Sequence, residues 1–231
     1  MTTTFITGAN KSLGYETARR LLEAGHTVLI GAREPRRGRA AAEALGARFV
    51  QLDVTDDASV EAAAADVAAR EGTIDVLVNN AGVGGPQGPA EELTAADALA
   101  VYDVNVFGVV RVTRAFLPLL RGSADPVVVN VTSGLGSFAA THDPERVEGR
   151  VVAPLYASSK SALTMLTTQY ARALPGVRFT AVDPGYTATD LNGHSGPQTV
   201  TEGTDAVVAA ATAGPGGPSG EFRDRYGVVP W

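Results

Sequence analysis

Cysteine is missing from this 231-residue chain, which excludes a disulfide framework and any thiolate metal site. Lysine is nearly missing: of nineteen basic residues only Lys11 and Lys160 are lysine, the rest being arginine. No apolar run approaches the roughly 18 residues that cross a bilayer. The N-terminus, Met1-Thr2-Thr3-Thr4-Phe5-Ile6-Thr7-Gly8, lacks the basic-then-apolar order of a secretory signal. Excess positive charge is lacking too, and a net charge of -6 gives no electrostatic reason to expect a nucleic-acid or anionic-membrane partner. His26, His142 and His194 are far apart in the chain, with no partner at metal-ligand spacing, so no metal site is expected. The expectation left standing is a soluble, cytoplasmic globule folded as a single domain over residues 1–231.

What is present is alternation. Short apolar runs are separated by longer helical stretches, the pattern of a parallel sheet with crossover helices. Strands are expected at Thr3–Ile6, Thr27–Ile30, Arg48–Leu52, Val76–Val78, Val127–Val131, Phe179–Val182 and Glu221–Arg223. Helices are expected at Leu13–Ala24, Arg36–Leu45, Ser59–Arg70, Ala95–Leu120, Pro154–Ala173 and Thr201–Ala211. Asp56-Asp57 reads as a helix N-terminal cap and not as a carboxylate dyad. Right-handed crossovers make this a Rossmann-type, doubly wound α/β sheet of about seven mainly parallel strands, with helices on both faces. Its ligands would bind at the C-terminal strand ends.

The first expected strand runs into Thr7-Gly8-Ala9-Asn10-Lys11-Ser12-Leu13-Gly14. A glycine at a strand end permits a tight turn, and the following helix N-terminus offers free N–H groups to a phosphate. A plain βα turn could also carry glycine, but position between strand and helix is the context that a phosphate site requires. After the second strand comes Gly31-Ala32-Arg33, with no carboxylate before Glu34. NAD binders of this fold place an acid there for the ribose hydroxyls, whereas the Arg33 guanidinium suits a 2′-phosphate. Further on, Lys160 follows Tyr156 by four residues, one turn along the same helix face, where an ammonium favours the phenolate.

Thr-Gly-x-x-x-x-x-Gly from Thr7, Asn79-Asn80-Ala81-Gly82 and Tyr156-x-x-x-Lys160 occur in that order. Together they resemble the short-chain dehydrogenase/reductase superfamily over essentially the whole chain. Thr7 to Lys11, Asn105-Val106-Phe107-Gly108 and Asp183-Pro184-Gly185-Tyr186-Thr187-Ala188-Thr189-Asp190 resemble its carbonyl-reductase-like bacterial branch. Ser12 departs from the family's middle glycine.

The resemblance implies an oxidoreductase that reduces an aldehyde, ketone or quinone, reversibly, by hydride transfer. Tyr156 would be the proton donor, Lys160 its tuner and ribose holder, and Ser133 the group that orients the carbonyl. Asn105 would hold a water linked to Lys160. The cofactor would lie on Gly8, Asn10, Lys11, Ser12, Leu13, Gly14, Arg33, Asp53, Val54, Asn80, Ala81, Gly82, Tyr156, Lys160, Pro184, Gly185, Thr187 and Thr189. Asp53 would meet the adenine edge and Asn79 would tie neighbouring backbone together. Lys11 resembles a basic residue of NADP-preferring members, so with Arg33 it favours NADP(H), NAD(H) remaining open. Substrate would be read by loops near 134–155 and 186–200, with Leu135, Phe138, Val151, Val152 and Leu155 facing the pocket. The partner expected is a small carbonyl or alcohol compound, and homo-oligomeric assembly is open. An NADP(H)-sensing protein without turnover is the alternative; the intact Tyr156/Lys160 pair argues against it. Epimerase or dehydratase chemistry is a further rival, disfavoured because Lys11 stands where those members carry a glycine.

Overall fold

The structure, a computed structural model, describes residues 2–231. Its strands are β1 (Thr3–Thr7), β2 (Thr27–Ala32), β3 (Arg48–Gln51), β4 (Val76–Asn79), β5 (Val127–Val131), β6 (Arg178–Val182), β7 (Glu221–Asp224) and β8 (Gly227–Val228). The helices are α1 (Ser12–Glu23), α2 (Pro35–Leu45), α3 (Asp57–Arg70), α4 (Ala95–Tyr102), α5 (Gly108–Leu120), α6 (Phe138–His142), α7 (Pro154–Ala173), α8 (Val200–Gly203) and α9 (Asp205–Thr212). The strands form one sheet in the order β3-β2-β1-β4-β5-β6-β7-β8. All neighbours are parallel except β7 and β8, which pair antiparallel.

Successive residues of a strand face opposite sides, and here each side has its own core. Phe5 of β1 joins Leu29, Leu77, Val128 and Phe179 on the face covered by α3 and α5, through Val60, Val67, Val112 and Phe116. Ile6, next in line, joins Ile30, Val78 and Val129 on the opposite face, under Leu21 of α1 and Val207 of α9. Burial on both sides explains why β5 reads Val-Val-Val-Asn-Val and is buried at all five positions. The chain leaves β1 toward β2 on one side, and the later units build from β4 on the other. The crevice at that reversal, above the C-terminal strand ends, is where such sheets bind ligands.

Three expectations are corrected. The stretch expected as one helix over 95–120 is α4, a π-helical turn at Asp103–Phe107, and α5. The interruption places buried Asn105 so that its side chain accepts from Val83 N and donates to Val83 O, both at 2.9 Å. The helix expected at 201–211 is broken at Thr204 into α8 and α9, and Thr199 and Glu202 cap α8 reciprocally. α3 begins at Asp57, two residues early, because Asp56 caps it by accepting from Ala58 N.

Candidate active site

The strand ends open into a cavity of about 840 Å³. At one end lies the turn between β1 and α1. No side chain caps α1, whose preceding residue Lys11 is extended, so its first-turn N–H groups remain available to an anion. Gly8 has φ +64, and a side chain there would begin 2.9 Å from Ala81 Cα. Ser12, standing where the family pattern has glycine, has φ +52. That is a conformation glycine adopts freely and serine adopts with strain.

The turn is fastened to the end of β4. Thr7 Oγ1 accepts from the N–H groups of Asn80 and Ala81, each at 3.0 Å. Asn80 Nδ2 returns bonds to Thr7 O at 2.9 Å and Gly8 O at 3.1 Å. Asn80, not Asn79, is therefore the tie between backbone segments. Asn79 lies in the core and donates to Asn130 Oδ1 at 2.9 Å.

At the other end α7 carries Tyr156 and Lys160, one turn apart. Tyr156 and Ser133 line the same stretch of wall, near enough for the serine hydroxyl to act on the phenol. Thr132, the neighbouring hydroxyl, is committed to Val182 O at 3.1 Å, which leaves Ser133 as the hydroxyl beside the phenol. Burial pushes the Tyr156 phenol up to about 12; the Ser133 hydroxyl opposes this and the Asp183 charge adds to it. Lys160 is buried beside this ring. Its ammonium donates to Val131 O at 2.9 Å, lies 5.5 Å from the Tyr156 ring centroid, and is brought down to about 8 by its own burial.

Asn105 is the one residue expected in a catalytic or cofactor role that does not line the cavity. Fully buried, it also donates to Ser159 Oγ at 3.0 Å, and Ser159 donates to Tyr156 O at 2.7 Å. Its side chain is thus occupied in joining the loop after β4 to the helix of Tyr156. A side chain added to Gly82 would meet Asn105 Oδ1 at 3.4 Å and Lys160 Nζ at 3.5 Å, so Gly82 keeps that corner open.

The remaining expected residues all line the cavity: Asn10, Lys11, Ser12, Leu13, Gly14, Arg33, Asp53, Val54, Asn80, Ala81, Pro184, Gly185, Thr187 and Thr189. The Thr187 hydroxyl donates to Pro184 O at 2.9 Å. Glu34, the first acid after β2, turns away to cap α2 by accepting from Arg36 N and Arg37 N. Arg33 is left on the cavity wall with Asp53, its Nε 4.0 Å from Asp53 Oδ2.

Of the apolar residues expected to face substrate, Leu135 and Val151 do, joined by Val147, Val83 and Leu191. Phe138 and Val152 point to solvent, the latter 87% exposed, and Leu155 is off the wall. Asp183 and Glu148 were not anticipated. Both carboxylates occupy the space that a side chain on Gly134, beside Ser133, would need. Burial pushes Asp183 up to about 6, with N–H bonds from Gly185 and Gly134 opposing and the Glu148 and Asp224 charges reinforcing. Glu148 reaches this point from the connection after β5, whose path no local pattern announces.

The short chain dehydrogenase family profile matches residues 2–199. A short-chain dehydrogenase, anuI, of Penicillium roqueforti is 36% identical over 222 residues, covering 90% of this chain and 88% of the relative. Salutaridine reductase from Papaver somniferum superposes with a TM-score of 0.84 at 27% identity, covering 96% of this chain and 99% of that one. Gluconate 5-dehydrogenase from Burkholderia cenocepacia, solved in complex with NADP and tartrate, gives a TM-score of 0.82 at 27% identity, over 96% and 92% of the two chains. Among the described residues no helix is long and apolar enough to cross a membrane.

Proposed function

The chain belongs to the short chain dehydrogenase family, and on that premise we propose that it is an NADP(H)-dependent reductase of an aldehyde, ketone or quinone, with Tyr156 as the proton donor. The observation that carries this reading is one cavity that joins a phosphate turn to the phenol of Tyr156 with Ser133 and Lys160 around it. A dinucleotide fits the residues present: N–H groups of α1 for its pyrophosphate, open backbone at Gly82 for the ribose and nicotinamide, and Arg33 at the adenosine end. When bound, this cofactor supplies the hydride.

The chain's own residues manage the oxygen. Ser133 donates to the substrate carbonyl and fixes it beside the phenol. Tyr156 gives up its proton as negative charge develops on that oxygen. A phenol raised to about 12 is fully protonated at neutral pH and ready to donate. Lys160, beneath Gly82, places positive charge where the phenolate forms. Asn105 acts at one remove, through Ser159, by holding α7 against the loop after β4.

Selection of NADP(H) over NAD(H) rests on Arg33, on Lys11, and on the withdrawal of Glu34 into the α2 cap. The NADP-bound gluconate 5-dehydrogenase relative is consistent with that choice. The test is NADPH oxidation across a panel of aldehydes, ketones and quinones, with NADH in parallel and Tyr156→Phe as the control. Turnover should favour NADPH and fall by about 10²-fold or more in the variant. Turnover undiminished in Tyr156→Phe would remove the proposed acid.

A further inference from the structure

The two exposed cations that line the cavity are held very differently. Arg33 is 78% exposed on its side chain and only loosely paired with Asp53, at 4.0 Å. Lys11 is tightly engaged: its Nζ lies 2.6 Å from Asp190 Oδ2. Asp190 comes from far along the chain. It opens the 3₁₀ turn Asp190–Asn192, in the segment after β6 that lies along the cavity.

That segment is a strap fastened at two points. On one side Leu191 packs on the backbone of Gly84, its Cγ 3.7 Å from where a side chain there would begin. On the other side Asp190 grips Lys11 in the phosphate turn. The strap's own bonds run internally: Tyr186 OH pairs with Ser195 Oγ at 2.8 Å, and Asn192 Nδ2 donates to Thr187 O at 2.8 Å. His194 Nε2 lies 3.0 Å from the second Asp190 oxygen, reached through a bend in which Gly193 and His194 both have φ +60. The Lys11 ammonium holds the Asp190 carboxyl below its ordinary range, so the acid is ionised wherever the enzyme would work.

We propose that Asp190 tempers the cofactor selectivity of this chain: its carboxylate competes with the 2′-phosphate of NADP(H) for Lys11, and binding of that phosphate unfastens the strap from the phosphate turn. The inference rests on the NADP(H) reading above. Its physical basis is that a phosphate dianion and a carboxylate sharing one ammonium repel each other, so the stronger acceptor displaces the weaker. A cofactor without the 2′-phosphate makes no such demand and leaves the strap fastened. Both partners are about half exposed, and an exposed pair of this kind is worth at most about fivefold in an equilibrium constant. Asp190 therefore moderates the preference for the phosphorylated cofactor without abolishing it.

The test uses nucleotides that lack nicotinamide, so it does not depend on turnover. Calorimetric titration with 2′,5′-ADP and with 5′-AMP at low ionic strength compares wild type, Asp190→Asn, Lys11→Gln and the double variant. Asp190→Asn should bind 2′,5′-ADP about three- to fivefold more tightly with 5′-AMP unchanged, and the double variant should lose that gain. Amide hydrogen exchange over 188–196 should rise in wild type with 2′,5′-ADP but not with 5′-AMP, and should be high throughout in Asp190→Asn. If wild type prefers 2′,5′-ADP and Asp190→Asn leaves the ratio unchanged, or tightens both nucleotides equally, competition for Lys11 is refuted while the NADP(H) reading stands. If wild type shows no preference for the 2′-phosphate, the NADP(H) reading falls and this inference falls with it.

Discussion

Replacing Asp183 with asparagine should stabilise the protein at neutral pH, by an amount that grows as pH rises from 4 to 6. The carboxyl is 5% exposed and titrates at about 6 in the fold, against an ordinary value of 3.8. A raised acid binds its proton more tightly in the folded chain than in the unfolded one. Below about pH 4 it is neutral in both states and costs nothing. Between 4 and 6 the unfolded chain ionises first, and stability drains away. Above about 6 the deficit is constant. At about 1.4 kcal/mol per pH unit, the interval amounts to about 3 kcal/mol. Asparagine does not titrate, but its single carbonyl cannot serve both the Gly185 and Gly134 N–H groups as the carboxylate does. That loss subtracts about 1 kcal/mol at every pH, leaving a gain of about 2 kcal/mol near pH 7. Urea denaturation of both proteins at intervals from pH 4 to 8, analysed for midpoint and slope, measures the difference directly. A difference that is the same at pH 4 and pH 7 would refute the claim that this carboxylate is buried at a cost.

Two further substitutions probe the scaffold around the site. Gly14→Ala would bring a methyl group within 2.5 Å of Asn80 Nδ2 and 2.7 Å of Gly8 O, forcing apart the phosphate turn and its tie. It should cost about 1–3 kcal/mol in chemical denaturation and weaken nucleotide binding in the same preparation. Phe116→Ala removes a fully buried ring whose centroid lies 4.5 Å from that of Phe5. About 3–5 kcal/mol should be lost in the same assay; a cost below 1 kcal/mol would mean that the α5 face of the sheet is not the packed core described.

What the sequence by itself determined is what short-range physics controls. Alternating apolar runs and helical stretches specify a parallel sheet wherever they occur. Gly8 between a strand and a helix specifies a turn open to phosphate, and a four-residue interval puts Tyr156 and Lys160 on one helical face. The tertiary structure alone decided what depends on groups distant in the chain. The π-helical turn at Asp103–Phe107 sits where Asn105 meets the backbone of Val83, 22 residues earlier, a contact the residues over 95–120 do not encode. Asn79 and Asn80 are adjacent and chemically identical, and only the position of β1 beside β4 decides that Asn80 ties the phosphate turn while Asn79 enters the core. Lys160 was legible as the partner of Tyr156, but the direction of its ammonium is set by Val131 O at the end of β5. Glu148 beside Asp183, and Asp190 on Lys11 across 179 positions, come from connections whose paths are fixed by what they pack against. Local propensity selects the elements and the residue types at strand ends; the energies that aim each polar side chain come from partners that only folding brings near.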